Sequence, residues 1–252
     1  MRRVAIGVVV AALIPVAWRM TAPKMPRFPY SLGPAVSVKP AGFAEWNVTV
    51  EPGITLRGLR REPTTPGGPW LVFLHGNERA LLESGASVLD RLGADAGVGL
   101  ATWAHRGFDG SPGTPSPEVL AADAVKVIDA LGVPPARLRL LGFSMGGPLA
   151  LHVAAELSRR GTPPESVTLL AAGAEFAMLH DVPWVRLSRG DVYRVGADAD
   201  DVKCPVHLYV GTDDTALPVA QSRAIAARLG PRATVTELPG VTHASILTVA
   251  LP

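Results

Sequence analysis

Leu138-Arg-Leu-Leu-Gly-Phe-Ser-Met-Gly-Gly147 is the stretch on which the reading of this chain turns. Residues Leu138 to Phe143 are apolar apart from Arg139 and predict a buried strand, and residues 146–160 have helical spacing. Ser144 therefore stands at a strand-to-helix junction, with Gly142 and Gly146 two residues to either side. A Gly-x-Ser-x-Gly turn in that context presents its serine at the tip of a sharp, strained bend. Only glycine on the flanks lets neighbouring backbone approach so closely. The helix that follows aims its positive dipole end at any negative charge developing near the serine.

Outward from this junction the chain alternates strand and helix. Upstream, Trp70 to Leu74 is a continuous apolar run ending in His75-Gly76, as expected of a strand buried on both faces. Helical spacing follows over residues 80–93, then a strand over Val98 to Ala104 and a helix over 117–131 opened by Ser116-Pro117. Two opening strands, Trp46 to Val50 and Ile54 to Leu59, flank a turn at Pro52-Gly53. Downstream, strands are expected over Val167 to Ala171, Val206 to Val210 and Thr234 to Leu238, with a helix over 218–229 and a short final helix. Such alternation predicts an α/β fold with a mostly parallel central sheet and helices on both faces. Residues 173–203 break the rhythm. A connection this long inside a domain has a structure or function of its own. With Phe176, Met178, Leu179, Trp184, Val185 and Leu187 it reads as a small cap, the alternative being an ordinary helix and loop.

Composition narrows the function classes. The chain has 252 residues, 18% of them charged, against roughly 25% in typical soluble domains, which argues against disorder. Residues 1–27 hold Arg2, Arg3, Arg19, Lys24 and Arg27 and no acid. The remainder carries 19 basic against 22 acidic residues, a net charge of −3. With no basic cluster, that body disfavours nucleic acid as a partner. Cys204 is the single cysteine, so no intrachain disulfide is possible, and the six histidines lack ligand-type spacing; no metal is expected.

The basic leader has its own reading. Val4 to Trp18 is uncharged and follows Met1-Arg2-Arg3, the order of an export signal. As a helix it would span only about 22 Å, against a hydrocarbon core of roughly 30 Å. Met20-Thr21-Ala22 is a poor cleavage site because Pro23 follows it. Residues 1–27 are thus expected to be a signal peptide or an uncleaved signal-anchor, making the protein exported or membrane-anchored. Prolines at 29, 34 and 40 make residues 28–42 a stiff extended linker, with the folded domain over 43–252.

The chain from about residue 45 to 250 resembles the α/β-hydrolase family. Three segments carry the resemblance: His75-Gly76-Asn77, similar to that family's oxyanion loop; Arg106-Gly-Phe-Asp-Gly-Ser111; and Gly142-Phe-Ser-Met-Gly-Gly147. Together they look closest to the Bem46-like branch of serine hydrolases. The chain departs from it at Ala104 and His105, where an acidic residue often precedes the Arg-Gly loop. The resemblance implies a Ser–acid–His triad in that chain order. In that triad Ser144 would be the nucleophile. Asp214 aligns with the family's acid in Gly211-Thr-Asp-Asp-Thr-Ala-Leu-Pro218, with Asp213 as its competitor, and His243 lies where the family's catalytic histidine resides. The backbone N–H groups of Met145 and Asn77 would hold the oxyanion, and Phe176 and Trp184 of the cap would meet substrate.

The expected activity is hydrolysis of an ester or thioester of a small acyl substrate through an acyl-enzyme, with no cofactor. An acyltransferase using the same triad and a non-catalytic binding protein on this fold are the alternatives. Serine in place of aspartate at the turn disfavours dehalogenase-type chemistry. Of the other histidines, His105 lies in a glycine-rich loop, His152 on a helix face, His207 in a strand and His180 in the cap.

Overall fold

The computed structural model describes residues 27–93, 97–179, 191–194 and 196–249. The leader residues 1–26, including Val4 to Trp18, and Trp184 and His180 of the expected cap lie outside them. The strands are β1 (Arg27–Pro29), β2 (Ala44–Glu45), β3 (Val48–Glu51), β4 (Ile54–Leu56), β5 (Gly58–Arg61), β6 (Trp70–Leu74), β7 (Gly99–Trp103), β8 (Leu138–Phe143), β9 (Ser166–Leu170), β10 (Glu175–Leu179), β11 (Asp191–Arg194), β12 (Val206–Gly211) and β13 (Ala233–Leu238). The helices are α1 (Leu81–Gly93), α2 (Pro117–Leu131), α3 (Gly146–Arg159), α4 (Gly196–Asp201) and α5 (Val219–Leu229).

The central sheet has eight strands in the order β13-β12-β9-β8-β6-β7-β5-β2. From β13 to β7 every pairing is parallel; β5 and β2 join antiparallel at one edge. The apolar runs of the sequence become its middle: Val72, Phe73, Leu74, Leu100, Ala101, Leu140 and Leu141 are all buried. The strand order also decides where the helices go. The step from β6 to β7 runs one way across the sheet, whereas β7 to β8, β9, β12 and β13 runs the other. Right-handed crossovers in opposite directions place their helices on opposite faces. Accordingly α1 packs against β5, β6 and β7, while α2, α3, α4 and α5 adjoin one another in series. The reversal leaves a crevice at the carboxyl ends of β6 and β8, the place where open α/β sheets bind ligands.

The two opening strands are four. Arg57 interrupts the run expected from Ile54 to Leu59, because its N–H donates to Ser111 Oγ (3.0 Å) and its carbonyl accepts from Ala104 N–H (2.8 Å). β3 and β4 form a hairpin of their own, and β5 pairs with β7 and β2. Residues 173–203 divide as well. β10 and β11 pair antiparallel, with Phe176 opposite Tyr193, and β1 joins β10 in parallel to make a separate three-stranded sheet. The acidic end of the expected cap belongs instead to the helical layer. From α4, Asp198 and Asp201 each accept from the Arg159 guanidinium at 2.8 Å, and Asp200 pairs with Arg228 at 2.7 Å.

Residues 30–42, expected as a linker, belong to no helix or strand and turn at Ala41-Gly42, and they do not stand off the domain. Tyr30 is buried edge-on against Phe108, with ring centroids 5.8 Å apart. Gly33 N–H donates to Gly107 O (3.2 Å), and Gly110 N–H donates to Gly33 O (3.1 Å). Asp109 accepts from the N–H groups of Val36 (2.8 Å) and Ser37 (3.1 Å) and from Ser37 Oγ (2.5 Å). Its carboxylate also takes the Leu82 N–H (3.1 Å), so the strap and Asp109 together cap the start of α1. Burial would raise the Asp109 pKa, but these four donors hold it below the usual carboxylate range. Among the described residues no helix is long and apolar enough to cross a membrane.

Candidate active site

β8 ends at Phe143 and α3 begins at Gly146, leaving Ser144 and Met145 to make the turn. Ser144 has φ +51°, a left-handed conformation that costs a non-glycine residue about 1–2 kcal/mol. Two backbone bonds hold it there: Ser144 N–H to Leu170 O and Gly147 N–H to Ser144 O, both 3.0 Å. The glycines serve close approach. A Cβ on Gly142 would lie 2.5 Å from Gly146 O, and one on Gly146 would collide with the Leu74 carbonyl.

Two loops bring the partners. Asp214 follows β12 and His243 follows β13, neighbouring parallel strands whose ends lie side by side. The loops are laced together: Asp213 N–H donates to Val241 O (3.1 Å), and Gly240 N–H donates to Thr212 Oγ1 (2.9 Å). His243 Nε2 is 3.1 Å from Ser144 Oγ, across 99 residues of sequence, and its Nδ1 is 2.7 Å from Asp214 Oδ2. The Asp214 side chain is fully buried, and its Oδ1 accepts from Ala216 N–H (2.9 Å) and Leu217 N–H (2.7 Å). Asp213 is exposed and bonds Thr212 Oγ1 at 3.0 Å. Between the two candidate acids, Asp214 is thus the one that meets the imidazole. The Phe143 ring lies beside that of His243, centroids 5.1 Å apart.

Such a chain can move a proton. A hydroxyl within 2.6–3.2 Å of an imidazole nitrogen is in reach of a general base. A buried carboxylate on the far nitrogen keeps the proton at Nδ1, so that Nε2 faces the hydroxyl as an acceptor.

His75-Gly76-Asn77 leaves the carboxyl end of β6 beside this serine. A Cβ on Gly76 would lie 2.9 Å from Phe143 Cδ1 and 3.1 Å from Ser144 Cβ. Beneath the loop, Thr102 Oγ1 donates to Phe73 O (3.1 Å) and therefore accepts from His75 Nε2–H (2.5 Å). His105, fully buried, reaches His75 O at 3.1 Å. Burial, and next the His75 ring, push its pKa down to about 3, so it is neutral. Glu78 is raised by burial, but the His75 ring, the Ser84 hydroxyl (2.8 Å) and His243 bring it below the usual carboxylate range. The Arg-Gly loop is fixed by a forked pair, Arg106 Nε and Nη2 to Asp123 at 2.8 Å each, with Glu51 at 2.5 Å on Nη1.

Met145 is buried behind the serine and Asn77 lies on the loop facing it. Of the two expected substrate contacts, Phe176 lies on β10 and Trp184 lies outside the described residues. His152 pairs with Asp198 (2.9 Å) and His207 is exposed on β12. Among the described residues no three His, Cys, Asp or Glu side chains gather as metal ligands. Sequence reasoning missed Glu78 and Ser31. Ser31 donates from its N–H to Asn77 Oδ1 (2.6 Å), and its Oγ lies 3.2 Å from Asn77 O. A proline-rich stretch 46 residues away carries no signal of that contact.

Known proteins agree with this architecture. The thioesterase domain family model matches residues 90–181. An uncharacterized protein of Mycobacterium tuberculosis is 32% identical over 229 residues, covering 84% of this chain and 77% of that protein. The lysophosphatidylserine lipase ABHD12 of Danio rerio is 25% identical over 169 residues, 60% of this chain and 44% of its own length. Among solved structures, carboxyl esterase 2 from the fungus Tuber melanosporum superposes with a TM-score of 0.62 at 17% identity, over 91% of this chain and 87% of that one. The chain belongs to the α/β-hydrolase family and is an α/β-hydrolase-type enzyme.

Proposed function

We propose that the protein is a serine hydrolase that cleaves an ester or thioester of an apolar acyl group through an acyl-enzyme. The observation that carries this reading is the unbroken chain from Ser144 Oγ to His243 Nε2 (3.1 Å) and from His243 Nδ1 to Asp214 Oδ2 (2.7 Å). Ser144 Oγ attacks the acyl carbonyl while His243 Nε2 takes its proton. Asp214 orients the ring and stabilises the imidazolium. Backbone N–H groups of Met145 and Asn77 receive the charge that develops on the carbonyl oxygen. As the tetrahedral centre collapses, the bond to the leaving alcohol or thiol breaks and His243 returns the proton to it. Water, deprotonated by His243, then attacks the acyl-Ser144 ester and releases the acid. The thioesterase-domain match and the lipase name of the Danio rerio relative both favour acyl-bond chemistry.

The test is a fluorophosphonate label with an ester chain-length series on wild type and Ser144→Ala. Wild type labels and turns over, and Ser144→Ala does neither. Labelling that survives the substitution refutes the nucleophile. Equal labelling of both proteins at zero turnover moves the reading to a binding protein.

Residues 1–27 act in this reading as an export signal or membrane anchor. That part of the reading rests on the sequence order alone, the basic start Met1-Arg2-Arg3 followed by the uncharged run Val4 to Trp18. Recovery of the full chain in the soluble cytoplasmic fraction would remove this part of the proposal.

A further inference from the structure

We infer that Ser31 is a positioning residue for the oxyanion loop, so that a segment reading as linker is part of the catalytic apparatus; the inference rests on the Ser144 mechanism above. The loop residues 76 and 77 are gripped from two sides. On one, Gly76 lies so near the turn that a Cβ would meet Phe143 Cδ1 at 2.9 Å and Ser144 Cβ at 3.1 Å. On the other, Ser31 N–H donates to Asn77 Oδ1 (2.6 Å) and Ser31 Oγ–H donates to Asn77 O (3.2 Å). One bond holds the Asn77 side chain and the other holds the peptide that follows it. Together they fix the rotation of the residue about its Cα, and with it the direction of its own N–H. That N–H is one of the two donors assigned to the oxyanion.

A clamp positions a loop only if the clamp is itself held. Ser31 is next to Tyr30, which is buried on the Phe108 ring. Two residues on, Gly33 exchanges backbone bonds with Gly107 and Gly110. Farther along, Val36 and Ser37 are fastened to Asp109, which also holds the first turn of α1. Ser31 is therefore referenced to the Arg-Gly loop and α1, both fixed to the sheet, and transmits that reference to Asn77. Ser37 gives the internal comparison: it anchors the same strap but does not touch the oxyanion loop.

The experiment compares full-length wild type, Ser31→Ala, Ser31→Thr, Ser37→Ala and Ser144→Ala on a soluble short-chain p-nitrophenyl ester, with unfolding midpoints for each. Deleting an oxyanion donor outright costs about 10²–10³ in rate, and a displaced donor retains part of its effect. Ser31→Ala is expected to lower kcat about tenfold with KM within about twofold, and to slow fluorophosphonate labelling to a similar degree. Ser31→Thr, which keeps the hydroxyl, restores kcat. Ser37→Ala lowers the unfolding midpoint and leaves kcat within about twofold, the usual scale of a distant change. An unchanged kcat in Ser31→Ala, beside an inactive Ser144→Ala, overturns this inference and leaves the mechanism standing. Equal kcat losses in Ser31→Ala and Ser37→Ala also overturn it, because the strap would then be mere scaffold. Full activity in Ser144→Ala defeats the mechanism itself, and this inference with it.

Discussion

Replacing Asp214 by asparagine isolates one electrostatic contact at almost constant shape. Oδ1 of Asp214 accepts from Ala216 and Leu217 N–H, and an asparagine oxygen can keep both bonds. The change therefore falls on the other atom, where an NH₂ replaces the carboxylate oxygen 2.7 Å from His243 Nδ1. Two donors would then face each other. The imidazole escapes by moving its proton to Nε2, the nitrogen 3.1 Å from Ser144 Oγ, and a protonated Nε2 cannot accept the serine proton. Water cannot substitute for the lost acceptor, since the Asp214 side chain has no exposed surface. The equivalent acid-to-amide change in a serine protease lowers kcat about 10⁴-fold, or roughly 5.5 kcal/mol at 1.36 kcal/mol per tenfold. A loss of about 10³–10⁴ in kcat is expected here, with an unfolding midpoint close to wild type. Asp213→Asn, altering an exposed carboxylate bonded to Thr212, should stay within about threefold, the range of surface changes. Both variants are assayed for ester turnover and for fluorophosphonate labelling rate. A larger loss in Asp213→Asn than in Asp214→Asn refutes the reasoning.

Three further outcomes test other parts of the molecule. Asp123→Ala removes the forked partner of the buried Arg106 and leaves it only Glu51, so urea titration should show a loss of about 3 kcal/mol, the lower end for breaking a buried pair. A change under about 0.5 kcal/mol, typical of surface sites, would show that the pair is not buried in solution. His105, held to about 3 by burial, binds no proton in the folded state where the unfolded chain, titrating near 6.5, does. Its contribution is therefore complete above about pH 6.5 and is lost as pH falls; about 1.5 kcal/mol should go between pH 6.5 and 5, and His105→Gln should remove that slope. An identical slope in the variant would contradict the assignment. Gly146→Ala drives a Cβ into the Leu74 carbonyl, which as backbone cannot swing aside. It should destabilise by about 1–3 kcal/mol and abolish labelling of Ser144; normal labelling would mean that the turn is looser than its geometry implies.

Much of the fold was legible because its signals are local. The apolar runs at Trp70 to Leu74 and Leu138 to Phe143 read as strands and are largely buried, and the glycines around Ser144 serve close backbone approach. Ser116 is the cap read from the sequence, accepting the Val119 N–H at 3.3 Å. The site was legible in part. Ser144 and His243 were named from their junctions, but Asp213 and Asp214 are adjacent in one turn, and nothing local says which points inward. Asp214 turns inward because its Oδ1 closes on the Ala216 and Leu217 N–H groups, aiming Oδ2 at the imidazole.

What the sequence by itself determined is the alternation of strand and helix and the strained serine turn, since periodicity and glycine sterics act over a few residues. Only the tertiary structure decided which carboxylate meets His243, that Asp198, Asp200 and Asp201 brace the helical layer, and that the proline-rich stretch is a strap bonded to Asn77 and Asp109. Each of those depends on hydrogen bonds between residues 28 to 73 positions apart. No local pattern encodes such pairings; they exist only once the sheet order has brought the loop ends together.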